Sequence, residues 1–241
     1  MFYASAFKGS GQMGSLEELE QKIGYCFRDK ALFRQALTHS SFSNEQKINK
    51  WKNYERIEFL GDAVLELISS DYFYRTYPEE TEGNLTKMRA AAVCEQALAI
   101  TARQLALGSY MVFGKGEEQN GGRERDSIIA DAVEAVLGAI YLDGGMDEAV
   151  RFAERFVLND LENKRLFYDA KSVLLEWVQE TKAGELTYEL IREEGPEHEK
   201  IFVMEARLNG KTIGNGQGKS KKTAQQHAAY DALLKQKSAK G

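Results

Sequence analysis

A mainly α-helical protein ending in a small α-β-β-β-α module is the architecture that this sequence predicts. Three observations lead there. Apolar residues recur every three or four positions through the first two thirds of the 241 residues. After about residue 169 the period shortens to two, with turn residues between the runs. The charge also changes sign along the chain, from a net −12 over residues 1–205 to +7 over residues 206–241. The basic end is interleaved with Ala, Leu and Tyr at helical spacing, so it reads as a folded face rather than a solvated tail. Such a face suits a polyanion.

The helical part is punctuated in order. Apolar stripes run through Leu32–Leu37, Ile57–Phe73, Met88–Leu107, Ile128–Leu142 and Ala149–Leu161. Breaks fall at Gly24, Pro78, Gly83, Gly108 and Gly144–Gly145, and the apolar-free stretch Gly114–Gly122 reads as a loop. A short helix over Ser172–Thr181 then precedes strands at Leu186–Arg192, Ile201–Leu208 and Lys211–Gly216. Turns are expected at Gly195-Pro196 and Asn209-Gly210, and a last helix over Lys221–Lys235. The expected organisation is a tail over 1–14, a helical domain over 15–163, a linker over 164–169, the mixed module over 170–238 and a short tail over 239–241.

Composition removes several classes. With 43% apolar and 29% charged residues and two prolines, the chain is neither collagen-like nor wholly disordered. No run of 18 apolar residues exists, so no membrane span is expected. The first 14 residues lack the basic-then-apolar pattern of a secretion signal. Cys26 and Cys94 are too few for a disulfide framework and lack metal-ligand spacing, which favours a reducing, cytoplasmic setting.

The chemistry concentrates in two segments. On a helix, Asn53–Leu67 (NYERIEFLGDAVLEL) places Ile57, Leu60, Val64, Leu67 and Ile68 on one face. Glu55, Glu58, Asp62 and Glu66 gather opposite. Glu58 and Asp62 are i,i+4 neighbours, a like-charge pair that destabilises a helix unless a cation sits between them. Ser127–Tyr141 (SIIADAVEAVLGAIY) repeats the design. Ile129, Val133, Val136, Leu137 and Ile140 form its core face, and Asp131 and Glu134 lie opposite, flanked by the small residues Ala135 and Gly138. Small residues allow a second helix to approach closely. Were the two helices to pack together, Glu58, Asp62, Asp131 and Glu134 would form an all-oxygen site suited to Mg²⁺ or Mn²⁺. A solvated acidic face explains either pair alone; two pairs, each opposite a clean apolar stripe, favour the shared site. Glu82 could join this site or simply favour the start of a helix. Phe59 points away from the core stripe, so it either packs under a neighbouring helix or anchors a partner subunit. His39 is a conceivable general base but reads better as structural.

These residues carry a family resemblance. Asn53–Leu65 (NYERIEFLGDAVL), Glu82–Arg89 (EGNLTKMR) and Gly121–Asp143 (GGRERDSIIADAVEAVLGAIYLD) resemble, in order, three sequence blocks of the ribonuclease III family. The resemblance extends over about residues 16–238. It implies an all-helical endonuclease domain followed by a double-stranded-RNA-binding domain, acting as a homodimer with Mg²⁺, Mn²⁺ being a plausible substitute, and with no small-molecule cofactor. Each subunit would cut one strand of an RNA duplex, leaving a 5′-phosphate, a 3′-hydroxyl and a short 3′ overhang, in ribosomal RNA precursor processing and in mRNA processing or decay. It implies that Glu58, Asp62, Asp131 and Glu134 are the metal-coordinating catalytic carboxylates, that Glu55 and Glu82 are supporting acids, and that Phe59 inserts into the partner subunit.

The C-terminal block resembles that RNA-binding domain most strongly in Gly218–Ala229 (GKSKKTAQQHAA). Lys219, Lys221 and Lys222 fall at a helix N-terminus, where ammonium and backbone N–H groups suit phosphates. The resemblance implies that His198, in the loop Gly195–Lys200, and Ser172 and Glu176 on the first helix meet minor grooves of A-form RNA. Leu175 stands where the family often carries Gln. Gln225 stands where related domains carry Lys, which removes one phosphate charge. Rival readings are a non-cleaving RNA-binding protein, which would need one of the four carboxylates replaced, and a phosphohydrolase of small nucleotides, which the basic module disfavours.

Overall fold

A computed structural model describes residues 15–46, 51–161, 169–195 and 200–238. The chain divides into two compact units at Asn159/Asp160. The first is helical among its described residues: α1 (Leu16–Ile23), α2 (Lys30–Ala36), α3 (Ser40–Glu45), α4 (Glu55–Thr76), α5 (Glu82–Ala92), α6 (Glu95–Leu105), α7 (Lys115–Gln119), α8 (Asp126–Gly144) and α9 (Met146–Phe152). Local chemistry sets the starts. Ser15 and Glu18 form a reciprocal capping box on α1, and Asp29 caps α2 by accepting from the N–H groups of Ala31 and Leu32.

Helix α8 is the hub. Its expected core residues Ile129, Val133, Val136, Leu137 and Ile140 are all buried. So are Ile128, Ala130, Ala132, Ala135, Gly138 and Ala139, because α2, α4, α6 and α9 surround it. Its far end is tied down by Asp143, which accepts from the Tyr25 hydroxyl at 2.6 Å and from the backbone N–H groups of Arg28 and Asp29 at 2.9 Å each. Three hydrogen bonds, offset in part by desolvation, hold the Asp143 carboxyl below the usual range.

Helix α4 buries Ile57, Val64 and Ile68 as expected and half-buries Leu60, but two further residues differ. Leu65 is buried and Leu67 is 58% exposed. An idealised wheel places Leu67 at one margin of the stripe and Leu65 beyond the other, and it is the Leu65 margin that is buried. The stretch Gly114–Gly122 is not a plain loop. It contains α7 and ends where a 3₁₀ turn, Gly122–Glu124, begins. Helix α7 forms without apolar residues because Glu45 accepts from the N–H groups of Lys115 and Gly116, at 2.9 and 3.0 Å. The expected stripe Ala149–Leu161 is likewise divided, with α9 passing into a π-helical turn at Ala153–Val157.

The second unit holds α10 (Ala170–Thr181), β1 (Leu186–Glu194), β2 (Ile201–Leu208), β3 (Lys211–Gly218) and α11 (Lys221–Ser238). The strands form one antiparallel sheet in the order β1-β2-β3, with bulges between Leu190 and Arg192 and between Ala206 and Arg207. Helix α11 packs directly on β3, where a Cβ added to Gly216 would lie 2.2 Å from the Ala228 nitrogen. Its core joins Ala170, Leu174, Ala206, Ala228, Ala229, Ala232 and Leu233. Both outer strands and the last helix run slightly longer than expected, since backbone pairing and helical bonding continue into polar ends that periodicity does not register.

Candidate functional site

Two glycines bring α4 and α8 together. A Cβ added to Gly61 would lie 1.9 Å from the Glu134 carbonyl oxygen, and one added to Gly138 would lie 2.4 Å from the Ile57 carbonyl oxygen. The two backbones therefore touch at a glycine-to-glycine crossing that no larger residue fits. Glu58 sits one turn before Gly61, and Glu134 and Asp131 sit one and two turns before Gly138. The crossing makes them converge: Glu58, Asp131 and Glu134 each offer a carboxylate oxygen, all within 4.8 Å of one another.

Among the described residues, none of these three pairs with Lys, Arg or His. Burial is the largest cause pushing Glu134 up to about 8, followed by the charges of Asp62, Asp131, Glu58 and Glu66. Glu58 is pushed up to about 7 by burial, then by Asp131, Glu55 and Asp62. Asp131 is also raised by burial, with partial relief from the Tyr54 hydroxyl, which donates to it at 3.3 Å. Tyr54 is itself buried and its phenol is raised well beyond its ordinary value, so it acts as a neutral donor. Three half-buried carboxylates with one hydroxyl between them lack positive charge, and hard oxygen donors alone fit a hard divalent cation.

Asp62 is exposed and is not one of that trio, being one turn further along α4. Its charge nevertheless reaches both glutamates. Glu55 and Glu82 also lie outside the trio. Glu55 accepts from Asn53 Nδ2 at 3.3 Å, while Asn53 Oδ1 accepts from the Glu55 N–H and starts α4. Glu82 is exposed in the first turn of α5, where it accepts from Thr86 Oγ1 at 3.0 Å. His39 serves structure: its Nδ1 caps α3 at the Ser41 N–H, and its ring lies between those of Tyr54 and Phe113. Burial lowers its pKa. Phe59 is 79% exposed in the single chain, which removes the reading that it packs under a neighbouring helix.

In the second unit, Ser220 caps α11 by accepting from the Thr223 N–H, and Lys221 and Lys222 follow in a first turn that itself holds no acidic residue. Lysines there oppose the helix dipole, so this end concentrates positive potential. Lys219, Lys221 and Lys222 are exposed. Lys221 forms an ion pair with Glu193 at 3.5 Å, an exposed pair that exchanges readily for a phosphate. Ser172 and Glu176 are exposed one turn apart on α10, with Leu175 46% exposed beside them. Gln225 is half-buried and accepts from Lys171 Nζ at 2.6 Å. His198 lies outside the described residues, as do both expected tails and most of the expected linker.

A family model described as Ribonuclease-III-like matches residues 29–161, and one described as Double-stranded RNA binding motif matches residues 170–236. Ribonuclease 3 of Pelotomaculum thermopropionicum is 48% identical over 220 residues, covering 90% of this chain and 91% of that one. The chain belongs to the ribonuclease III family. Ribonuclease 3 of Caldanaerobacter subterraneus is 50% identical over 226 residues, covering 91% of this chain and 97% of its own. A solved ribonuclease III nuclease domain from Campylobacter jejuni superposes with a TM-score of 0.56 at 43% identity, covering 59% of this chain and 96% of that domain. As a ribonuclease III, the protein is an endoribonuclease specific for double-stranded RNA, with a helical metal-dependent nuclease domain and a duplex-binding module. Among the described residues, no helix is long and apolar enough to cross a membrane.

Sequence reasoning did not single out three residues of the ribonuclease III domain. Gly61 makes the helix crossing, and Tyr54 reaches Asp131 across 77 positions. Arg89 ties α5 to α4 through an ion pair with Glu66 at 3.0 Å and a hydrogen bond to Ser70 Oγ at 2.8 Å. Gly61 carries a readable signal, as a glycine inside a strong helix three residues after Glu58. The other two needed tertiary structure.

Proposed function

We propose that Glu58, Asp131 and Glu134, with Asp62 beside them, hold Mg²⁺ and form the catalytic centre for hydrolysis of RNA duplexes. The observation that carries this reading is the trio of mutually close, half-buried carboxylates without a cationic partner. A bound divalent ion supplies activation of a water for attack on phosphorus and relief of charge on the departing 3′-oxygen. The protein's own part is to fix donor geometry. The glycine crossing sets the helix spacing, and the Tyr54 hydroxyl orients Asp131. Burial keeps the pocket poorly solvated, which strengthens every charge interaction within it. Glu55 and Glu82 stand as supporting acids near the duplex path.

Products with a 5′-phosphate, a 3′-hydroxyl and a short 3′ overhang follow from two such centres acting across one duplex. That arrangement requires a homodimer. Phe59, exposed on the α4 surface beyond the acidic residues, is its anchor in this reading. The Campylobacter jejuni nuclease domain is described as having a region involved in dimer formation. Lys219, Lys221 and Lys222 contact phosphates, and Ser172, Glu176, Gln225 and His198 complete the duplex-facing surface. The implied setting is the bacterial cytoplasm, in ribosomal RNA precursor processing and mRNA processing or decay. Cys26 and Cys94, which form no disulfide, are consistent with it.

The test is incubation of end-labelled duplex and single-stranded RNA with and without Mg²⁺. Cutting of duplex alone, and with Mg²⁺ alone, is the expected result. Duplex binding without cleavage would instead support a non-cleaving RNA-binding protein.

A further inference from the structure

Lys221 and Lys222 open α11, and Gln225 follows one turn after Lys221 on the same side. Gln225 carries no charge, so the basic row stops at that position in the sequence. The fold delivers a cation to it from another helix. Lys171, the second residue of α10, extends its Nζ to Gln225 and donates to Oε1 at 2.6 Å. Its backbone N–H donates to Gln226 Oε1 at 2.7 Å, so the start of α10 is held against α11 by main chain and side chain together. The ammonium also lies 5.1 Å from the centre of the Tyr188 ring.

These contacts fix where the charge sits without cancelling it. An amide oxygen and an aromatic face are both neutral, whereas Lys221 and Lys235 are paired with the carboxylates of Glu193 and Asp231. No carboxylate pairs with Lys171 among the described residues. An ammonium has three N–H donors and the amide occupies one of them, so two remain for a phosphate. The side chain is also pre-ordered, which lowers the entropy cost of making that contact.

We propose that Lys171 is a duplex-phosphate contact that occupies, in space, the place of the cation missing from position 225. The inference rests on the reading of the α11 N-terminus as an RNA-facing surface. The competing explanation is a purely structural tie between α10 and α11.

The experiment uses the full chain in EDTA, so that RNA is bound without being cut. The probe is an RNA duplex of about 20 bp, slightly longer than the ~16 bp that such a module spans. Affinity is measured from about 0.05 to 0.3 M salt, and log affinity is plotted against log salt. Lys171→Gln is expected to lower the slope by about one and to weaken binding severalfold. The exchanged pair Lys171→Gln with Gln225→Lys reverses donor and acceptor, keeping both the tie and the charge, and should restore the parental slope. Lys221→Ala with Lys222→Ala provides the reference, with a fall of about two.

An unchanged slope in Lys171→Gln overturns the proposal, even if thermal stability falls, because a structural tie would give that pattern. A slope as low in the exchanged pair as in Lys171→Gln overturns it too. If the reference pair leaves the slope unchanged, the RNA-facing reading of α11 is what fails, and the proposal falls with it.

Discussion

Replacing Gly61 with alanine adds one methyl group at the tightest point of the nuclease domain. The new Cβ would lie 1.9 Å from the Glu134 carbonyl oxygen, 2.6 Å from its carbonyl carbon and 3.1 Å from the Gly138 nitrogen. All three are backbone atoms, so no side chain can rotate out of the way. To bring the closest contact to an ordinary distance, α4 and α8 must part by about 1 Å or more. Overpacking of this kind costs about 1–3 kcal/mol. The consequence for activity is larger, because Glu58 rides on one helix and Asp131 and Glu134 on the other. A misplacement of about 1 Å at a reacting centre costs on the order of 10²-fold in rate. The assay is single-turnover cleavage of an RNA duplex at saturating Mg²⁺, with circular dichroism melting on the same samples. Duplex binding in EDTA serves as the control, since the RNA-binding surface lies in the other unit. The expected pattern is a melting temperature lowered by several degrees, cleavage lowered by about 10²-fold at a temperature where the variant is still folded, and unchanged binding. Wild-type cleavage by a folded Gly61→Ala protein would refute the claim that this crossing sets the carboxylate geometry.

Three further outcomes are expected. Glu134→Gln removes a proposed metal ligand and no proposed phosphate contact, so cleavage should be lost while duplex binding in EDTA persists; joint loss in a filter-binding assay would count against the site. Tyr54→Phe deletes the hydroxyl on Asp131 and should weaken Mn²⁺ binding, read by electron paramagnetic resonance, by roughly 10-fold, the low end for a residue that orients a ligand. An unchanged affinity would leave Tyr54 a packing residue. Folded-state values of about 7 for Glu58 and about 8 for Glu134 lie above their ordinary 4.5. The metal-free fold therefore binds protons more tightly than the unfolded chain, and its stability should fall as pH rises from about 4.5 to 8. Divalent metal competes with those protons, so metal affinity should climb across about pH 6–8 and flatten above. Chemical denaturation and calorimetric titration at several pH values check both signs, and a pH-independent affinity would contradict them.

The sequence showed the apolar stripe of α8 in full and the two acidic pairs opposite the stripes, because periodicity and like-charge spacing are local. Ala135 and Gly138 were legible as a place for close helix approach, and the structure puts Gly138 against Ile57 and Gly61. Leu67 is exposed and Leu65 buried because the two lie at opposite margins of the α4 stripe, and which margin is covered depends on the elements packed there rather than on periodicity. Helix α7 was invisible because its stability comes from Glu45, some 70 residues away, capping its N-terminus. Tyr54–Asp131 and Arg89–Glu66 are pairs between elements, and one sequence carries no distance information. For the same reason Gln225 read as a lost charge, when the fold sets Lys171 beside it.

The most direct measurement is the anomalous scattering of Mn²⁺ in a crystal of the full chain. The expected result is a peak at about 2.1 Å from oxygens of Glu58, Asp131 and Glu134 together, a distance ordinary for a small divalent ion on carboxylates. A Mn²⁺ bound elsewhere, with these three side chains turned apart, would contradict it.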